Sequence, residues 1–286
     1  MTMLPDQFTP VAGPKVKVVL YDILHLGEDY AVTPLVMSVL RDLARDTDIL
    51  VEHSADTLSE VSLTDKRMED ALIKTDADLL IFGSYMATRS NVQPLIHFLC
   101  TYGRPLEQSA ALPEGMDLNQ AVEEGDAILQ LPRHVLSRDL LPLLAVETLT
   151  YQNNLAQEVF GIARFIQALK LYKDGKFEET VLAVNKILDQ FGEAEQWPNF
   201  WAPYNYLHML SGLAYLRLGN GEAAVYTLSN AIERSSPARL RVMRAAEQII
   251  SSLMSARQAA VEEAAPEEAA PAQGEEPAPP ETTKPE

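Results

Sequence analysis

The side chains in this 286-residue chain that could do chemistry are few and scattered. Five histidines, His25, His53, His97, His134 and His208, could ligate a metal or move a proton. None stands in an HExxH, HxxxH or CxxC arrangement that would bring two ligands onto one helix face or loop. Cys100 is the single cysteine, has no partner for an intramolecular disulfide, and lies in the apolar run LIHFLC, which reads as a buried structural thiol. Ser84 and Ser90 lack the GxSxG context of an activated nucleophile. There is no GxxxxGK[ST] phosphate loop, and the GNG at 219–221 follows a helical pattern, which makes it a turn between helices. Asp22 ends the first predicted strand and Glu52 lies near the end of the second. Carboxyl ends of strands are where open α/β sheets bind ligands, so a cation or small-molecule site is one reading, and solvated loop carboxylates are the other. No catalytic residue, metal or cofactor is expected.

Composition narrows the partner classes. The formal net charge is −18 and the isoelectric point about 4.7, so phosphate backbones and anionic membranes are repelled. The segment from Ala259 onward holds eight glutamates, one lysine and six prolines with no aromatic residue, and is expected to be a disordered acidic tail over 259–286. Hydrophobic residues make up 47% of the chain, enough for a substantial core. The first residues, MTMLPDQFTPVAGPK, have neither a basic nor an apolar signal-peptide region, and no run is long enough to span a membrane. The expectation is a soluble, cytoplasmic protein with a flexible arm at 1–14.

The elements that must position any site divide in two. Residues 15–136 alternate strand and helix: strands at 15–23, 47–54 and 76–87, and a helix with Val32, Leu35, Val36, Val39, Leu40 and Leu43 at helical spacing, its start marked by Thr33 and Pro34. A second helix carries Met68, Leu72 and Ile73 on one face, with Thr64 as its cap. HLGED after the first strand reads as a turn. TRSN turns the third strand into VQPLIHFLC, whose Pro94 favours a sheet edge. A short helix at 118–122 and a last strand at 127–132 complete a small mixed sheet. This element order, with the Gly83–Ser84 step before the hairpin, resembles the amino-terminal α/β domain of TolB-like proteins. From Ser137 to Gln258 the pattern is helical, with Pro142 in a first turn and two tryptophans, Trp197 and Trp201, in an interrupting loop.

Within that helical part the chain repeats itself. ALKLYKDGKFEETVLAVNKIL, residues 168–188, aligns with GLAYLRLGNGEAAVYTLSNAI on Gly175 and Gly219, 44 residues apart. Ala168 matches Gly212, Leu171 matches Tyr215, Thr180 matches Ala224 and Ile187 matches Ala231. Small residues recur where two helices cross closely. Over 161–237 this resembles the tetratricopeptide repeat, whose ordinary period is about 34 residues. Arg164 and His208 stand at the consensus tryptophan position. A helix from Pro237 to about Gln258 would cap the stack.

The fold class expected is α+β in two domains: an α/β domain with a small mixed sheet at 15–136, and all-α tetratricopeptide-like hairpins at 137–258. The function expected is that of a non-enzymatic adaptor or scaffold for a protein partner. Trp197 and Trp201 belong to the densest aromatic cluster of the chain, which reads either as packing between the two hairpins or as a recognition surface with the tryptophans as anchors. The resemblance to the repeat family implies a groove row of Ile162, Phe165, Leu169, Met209, Leu213 and Leu216. That row presents an apolar groove, and the protein's own helices are the other candidates to fill it. The alternative function is a ligand-sensing or enzymatic α/β domain with the repeats as a docking arm. A third is a homo-oligomer built on the repeat edge.

Overall fold

The computed structural model describes residues 13–27, 31–58, 65–88, 91–101, 117–129, 134–138, 143–144, 148–191, 203–233 and 240–264. The sheet is built on β1 (Val16–Tyr21), flanked in parallel by β3 (Ile49–Ser54) and β4 (Leu79–Ala87). β5 (Asn91–Cys100) pairs antiparallel with β4, and β6 (His134–Arg138) with β5, giving the order β3-β1-β4-β5-β6. Two short strands lie off this path: β2 (Leu24–Gly27) beside β4 and β7 (Leu143–Leu144) beside β5.

β1 reads as a continuous apolar run because both of its faces are covered. Val16, Val18 and Leu20 join α1 (Val32–Ala44) and α4 (Thr148–Lys173) in the large core. Val19 and Tyr21 face α2 (Asp65–Thr75) in a smaller one with Leu80, Phe82 and Leu72.

The helical half holds α4, α5 (Phe177–Phe191), α6 (Pro203–Arg217), α7 (Gly221–Glu233) and α8 (Leu240–Ala264). Its two turns share one hydrogen-bond pattern. The Lys176 N–H donates to the Leu171 carbonyl at 2.9 Å and Gly175 to Tyr172 at 3.0 Å; Asn220 donates to Tyr215 at 2.9 Å and Gly219 to Leu216 at 3.0 Å. Gly175 and Gly219 take φ of 75° and 74°, the left-handed cap that ends one helix and releases the chain into the next. Asn220 then caps α7 by accepting from the Ala223 N–H at 3.1 Å. The matched positions Ala168, Thr180, Ile187, Ala224 and Ala231 are all 0% exposed. At Gly212 a Cβ would lie 2.6 Å from Leu228 Cγ, so α6 and α7 cross at contact there.

One core cluster runs from Val16 to Ile249, through α1, α4, α6 and α8, so the sheet and the helices share their interior. α3 (Leu118–Ile128) packs against α6 and α8. It starts with a full capping box between Asp117 and Gln120. A Cβ at its Gly125 would lie 3.0 Å from both Ile249 Cδ1 and Met209 Cε.

Several expectations are corrected. The first three residues of HLGED belong to β2, which takes over as β4's parallel neighbour once β1 has ended at Tyr21. α1 begins at Val32 after Ala31 in the left-handed region, and the Thr33 hydroxyl accepts from the Ile23 N–H at 2.9 Å instead of capping the helix. Pro94 lies inside the sheet, yet at a gap in the outer pairing: β7 pairs with residues up to Val92 and β6 with residues from Leu95. The missing proline N–H therefore breaks no ladder bond on that side. The stretch at 127–132 starts as the end of α3, and the last strands are β6 and β7, so helix begins at Thr148 and not at Ser137. Of the expected arm, Gly13 and Pro14 are tied down: the Gly13 N–H donates to Asp48 Oδ2 at 2.6 Å and Gln167 Nε2 donates to the Pro14 carbonyl at 3.1 Å. α8 continues through Ala264, beyond the expected boundary at Gln258. Thr64, Pro142 and the tail from 265 lie outside the described residues.

Candidate functional site

The expected groove row is core. Ile162, Phe165 and Leu169 of α4 are 3%, 0% and 1% exposed, and Met209 and Leu213 of α6 are 0%. Leu216 is partly buried against the same cluster. The physical reason is occupancy from within: α1 packs on α4, and α3 covers α6 and α8, with Gly125 placing backbone against Met209, Leu213 and Ile249. These side chains do come together, but no partner reaches them in this arrangement. Trp197 and Trp201 lie outside the described residues.

α3 is also clamped by polar contacts. Tyr172 Oη donates to Asp126 Oδ1 at 2.6 Å, and Arg217 Nη2 meets Asp126 Oδ2 at 2.9 Å. Burial, then the bond to Asp126, pushes the Tyr172 hydroxyl well above its ordinary range. A second polar seam joins α4 to the amino ends of the parallel strands. Lys170 Nζ meets Asp78 Oδ2 at 2.9 Å, both side chains 17% exposed, and donates to the Lys15 carbonyl at 2.6 Å. Asp78 Oδ2 also accepts from the Lys17 N–H at 2.8 Å. Beside it, burial lowers the Arg164 guanidinium against the opposing pull of Asp48.

At the opposite ends of the same strands, Asp22 follows β1 and sits beside His53 of β3, with Nε2 to Oδ1 at 2.7 Å. The pair opens into a cleft of about 470 Å³ lined along α1 by Thr33, Met37, Ser38 and Arg41. Arg41 forms no ion pair among the described residues. Glu52, the other expected carboxylate, is absent from that cleft; it pairs with Lys17 at 2.9 Å. His53 replaces it, one residue nearer the strand end. A second cleft of about 640 Å³ lies by Tyr21, Asp56, Arg67 and Lys74. There Lys74 Nζ meets Asp56 Oδ2 at 2.7 Å, a contact that raises the ammonium's pKa, while burial raises that of the Tyr21 hydroxyl. Among the described residues no three His, Cys, Asp or Glu side chains converge as a metal site, and no helix is long and apolar enough to cross a membrane.

The apolar side chains that do reach solvent include Leu182 of α5, 57% exposed, and Tyr226 of α7, 73% exposed. They are 44 residues apart, the same offset that relates Gly175 to Gly219. The sequence signal was present in the repeat alignment, but it shows only when the outward positions are compared as well as the inward ones. Comparison with protein-family models, curated proteins and solved structures finds no match.

Proposed function

We propose that this protein is a non-enzymatic interaction adaptor whose helical half is a short tetratricopeptide-like array that binds a partner on its outward face. The supporting observation is the exposed pair Leu182 and Tyr226, one large apolar side chain at the same position of each hairpin. A solvated helix face has no packing reason to place a large apolar residue at both copies, and exposed aromatic and aliphatic side chains are common anchors of interfaces. The shared turn hydrogen bonds and the buried small residues at the crossings support the repeat reading. The α/β half, resembling TolB-like domains, is then a scaffold that fills the inner face of the array. The proposal places the protein in the cytoplasm, in keeping with a lone buried thiol.

The test is quantitative affinity capture with the immobilised full chain beside its Leu182→Glu/Tyr226→Glu variant. The expected result is a protein retained by the parent and lost from the variant, with circular dichroism unchanged. Equal retention by both overturns the reading. A second reading, a small-ligand sensor, is favoured by the Asp22–His53 pair in its cleft. A thermal-shift screen of small polar compounds supports it if a stabilising compound loses its effect in His53→Ala.

A further inference from the structure

The outward faces of α5 and α7 repeat more than one residue. Glu178, Leu182 and Asp189 on α5 are all exposed, and the offset of 44 residues maps them onto Glu222, Tyr226 and Glu233 on α7, also exposed. Each apolar side chain thus has a carboxylate four residues before it, on the adjacent turn, and another seven residues after it, two turns on. On α5 the exposed Lys186 stands between Leu182 and Asp189, so the two rows together keep a net negative charge but are not uniformly acidic. Among the described residues, Glu222 alone of these four carboxylates has a cationic partner, Arg257 at 3.4 Å, and that pair is 82% and 66% exposed, a weak competitor for a ligand. Resting on the reading of the helical half as a binding array, we propose that this double row docks a cationic segment of a partner protein in which apolar residues are flanked by lysine or arginine.

The chemistry follows from complementarity. Leu182 and Tyr226 supply the area to bury, and the four carboxylates supply the charge that steers and orients a basic segment. α5 and α7 both pack on α6. Helices in contact lie about 8–10 Å apart, so the axes of α5 and α7 fall within roughly 20 Å of each other. About six extended residues span that distance. A second copy of this chain is disfavoured as the occupant, because the same carboxylates would face one another on a molecule of net charge −18. Nucleic acid is repelled for the same reason.

The test titrates labelled short peptides against the full chain by fluorescence anisotropy: leucines flanked by lysines, serines flanked by lysines, and leucines flanked by glutamates. The lysine–leucine peptide should bind, and the lysine–serine peptide at equal charge should bind about tenfold more weakly. Leu182→Ser/Tyr226→Ser should cost the lysine–leucine peptide about tenfold, without change in circular dichroism. The quadruple reversal Glu178→Lys, Asp189→Lys, Glu222→Lys and Glu233→Lys should lose that peptide and gain the glutamate–leucine one. Equal binding of both lysine peptides, insensitive to these changes, would assign the effect to net charge and overturn the proposal, as would no binding. If the captured partner depends on Leu182 and Tyr226 while no peptide shows a basic preference, the adaptor reading stands and this one fails.

Discussion

Replacing Gly212 by alanine tests the helix crossing that the repeat alignment requires. In an open helix interior this change stabilises by about 1 kcal/mol, because glycine is the more flexible residue. Here the new Cβ would lie 2.6 Å from Leu228 Cγ and 2.7 Å from Cδ2. Carbon atoms in contact settle about 3.5–4.0 Å apart, so α7 or the Leu228 rotamer must move by about 1 Å. Leu228 is 0% exposed, so any shift it makes is against the surrounding core and not into solvent. Overpacking of this kind costs about 1–3 kcal/mol, which offsets the propensity gain and leaves a net loss of about 0–2 kcal/mol. Urea unfolding followed by far-ultraviolet circular dichroism reads that loss directly. Leu228→Ala alone should cost about 2–5 kcal/mol, and the double variant should lose less than the sum, because truncating Leu228 makes room for the methyl group. An alanine variant about 1 kcal/mol more stable than the parent, with strictly additive effects, would refute the close crossing.

Leu182→Glu/Tyr226→Glu should change unfolding free energy by less than about 1 kcal/mol, since both side chains already face water; a larger loss would show that they pack. Asp78→Ala should cost about 1–3 kcal/mol by urea titration, because it removes the carboxylate that accepts from both the part-buried Lys170 ammonium and the Lys17 N–H. Tyr172 keeps in the folded state the proton that the unfolded chain releases near pH 10, so its contribution is complete below about pH 10 and is lost as pH rises further. Tyr172→Phe should therefore lower stability by about 1 kcal/mol at pH 7 and flatten the loss above about pH 10, and parallel pH profiles would contradict the assignment.

The strands and helices with clear periodicity were legible in the chain: the apolar run of β1, the helical spacing of α1, and the two hairpins hinged on Gly175 and Gly219. Short elements were not. β2 is only four residues, LHLG, beside a turn, and it pairs where β1 has ended and left that edge of β4 open. The site was misplaced for a related reason. A helix row at groove spacing looks the same whether it faces solvent or another helix, and nothing local in residues 118–128 announces that α3 will cover Met209 and Leu213. The pairing of His53 with Asp22 is not legible in the chain, because the two lie 31 residues apart and meet through parallel strand pairing.

The most direct test of the account is hydrogen exchange of the full chain with and without the lysine–leucine peptide. The account predicts slowed exchange confined to α5 and α7, with α3 amides unchanged, because the inner face is already filled by the protein itself. Faster exchange over 118–128 as the peptide binds would show α3 displaced from α6 and α8, and protection confined to the Asp22–His53 cleft would move recognition to the sheet. Either result would contradict the outward docking row.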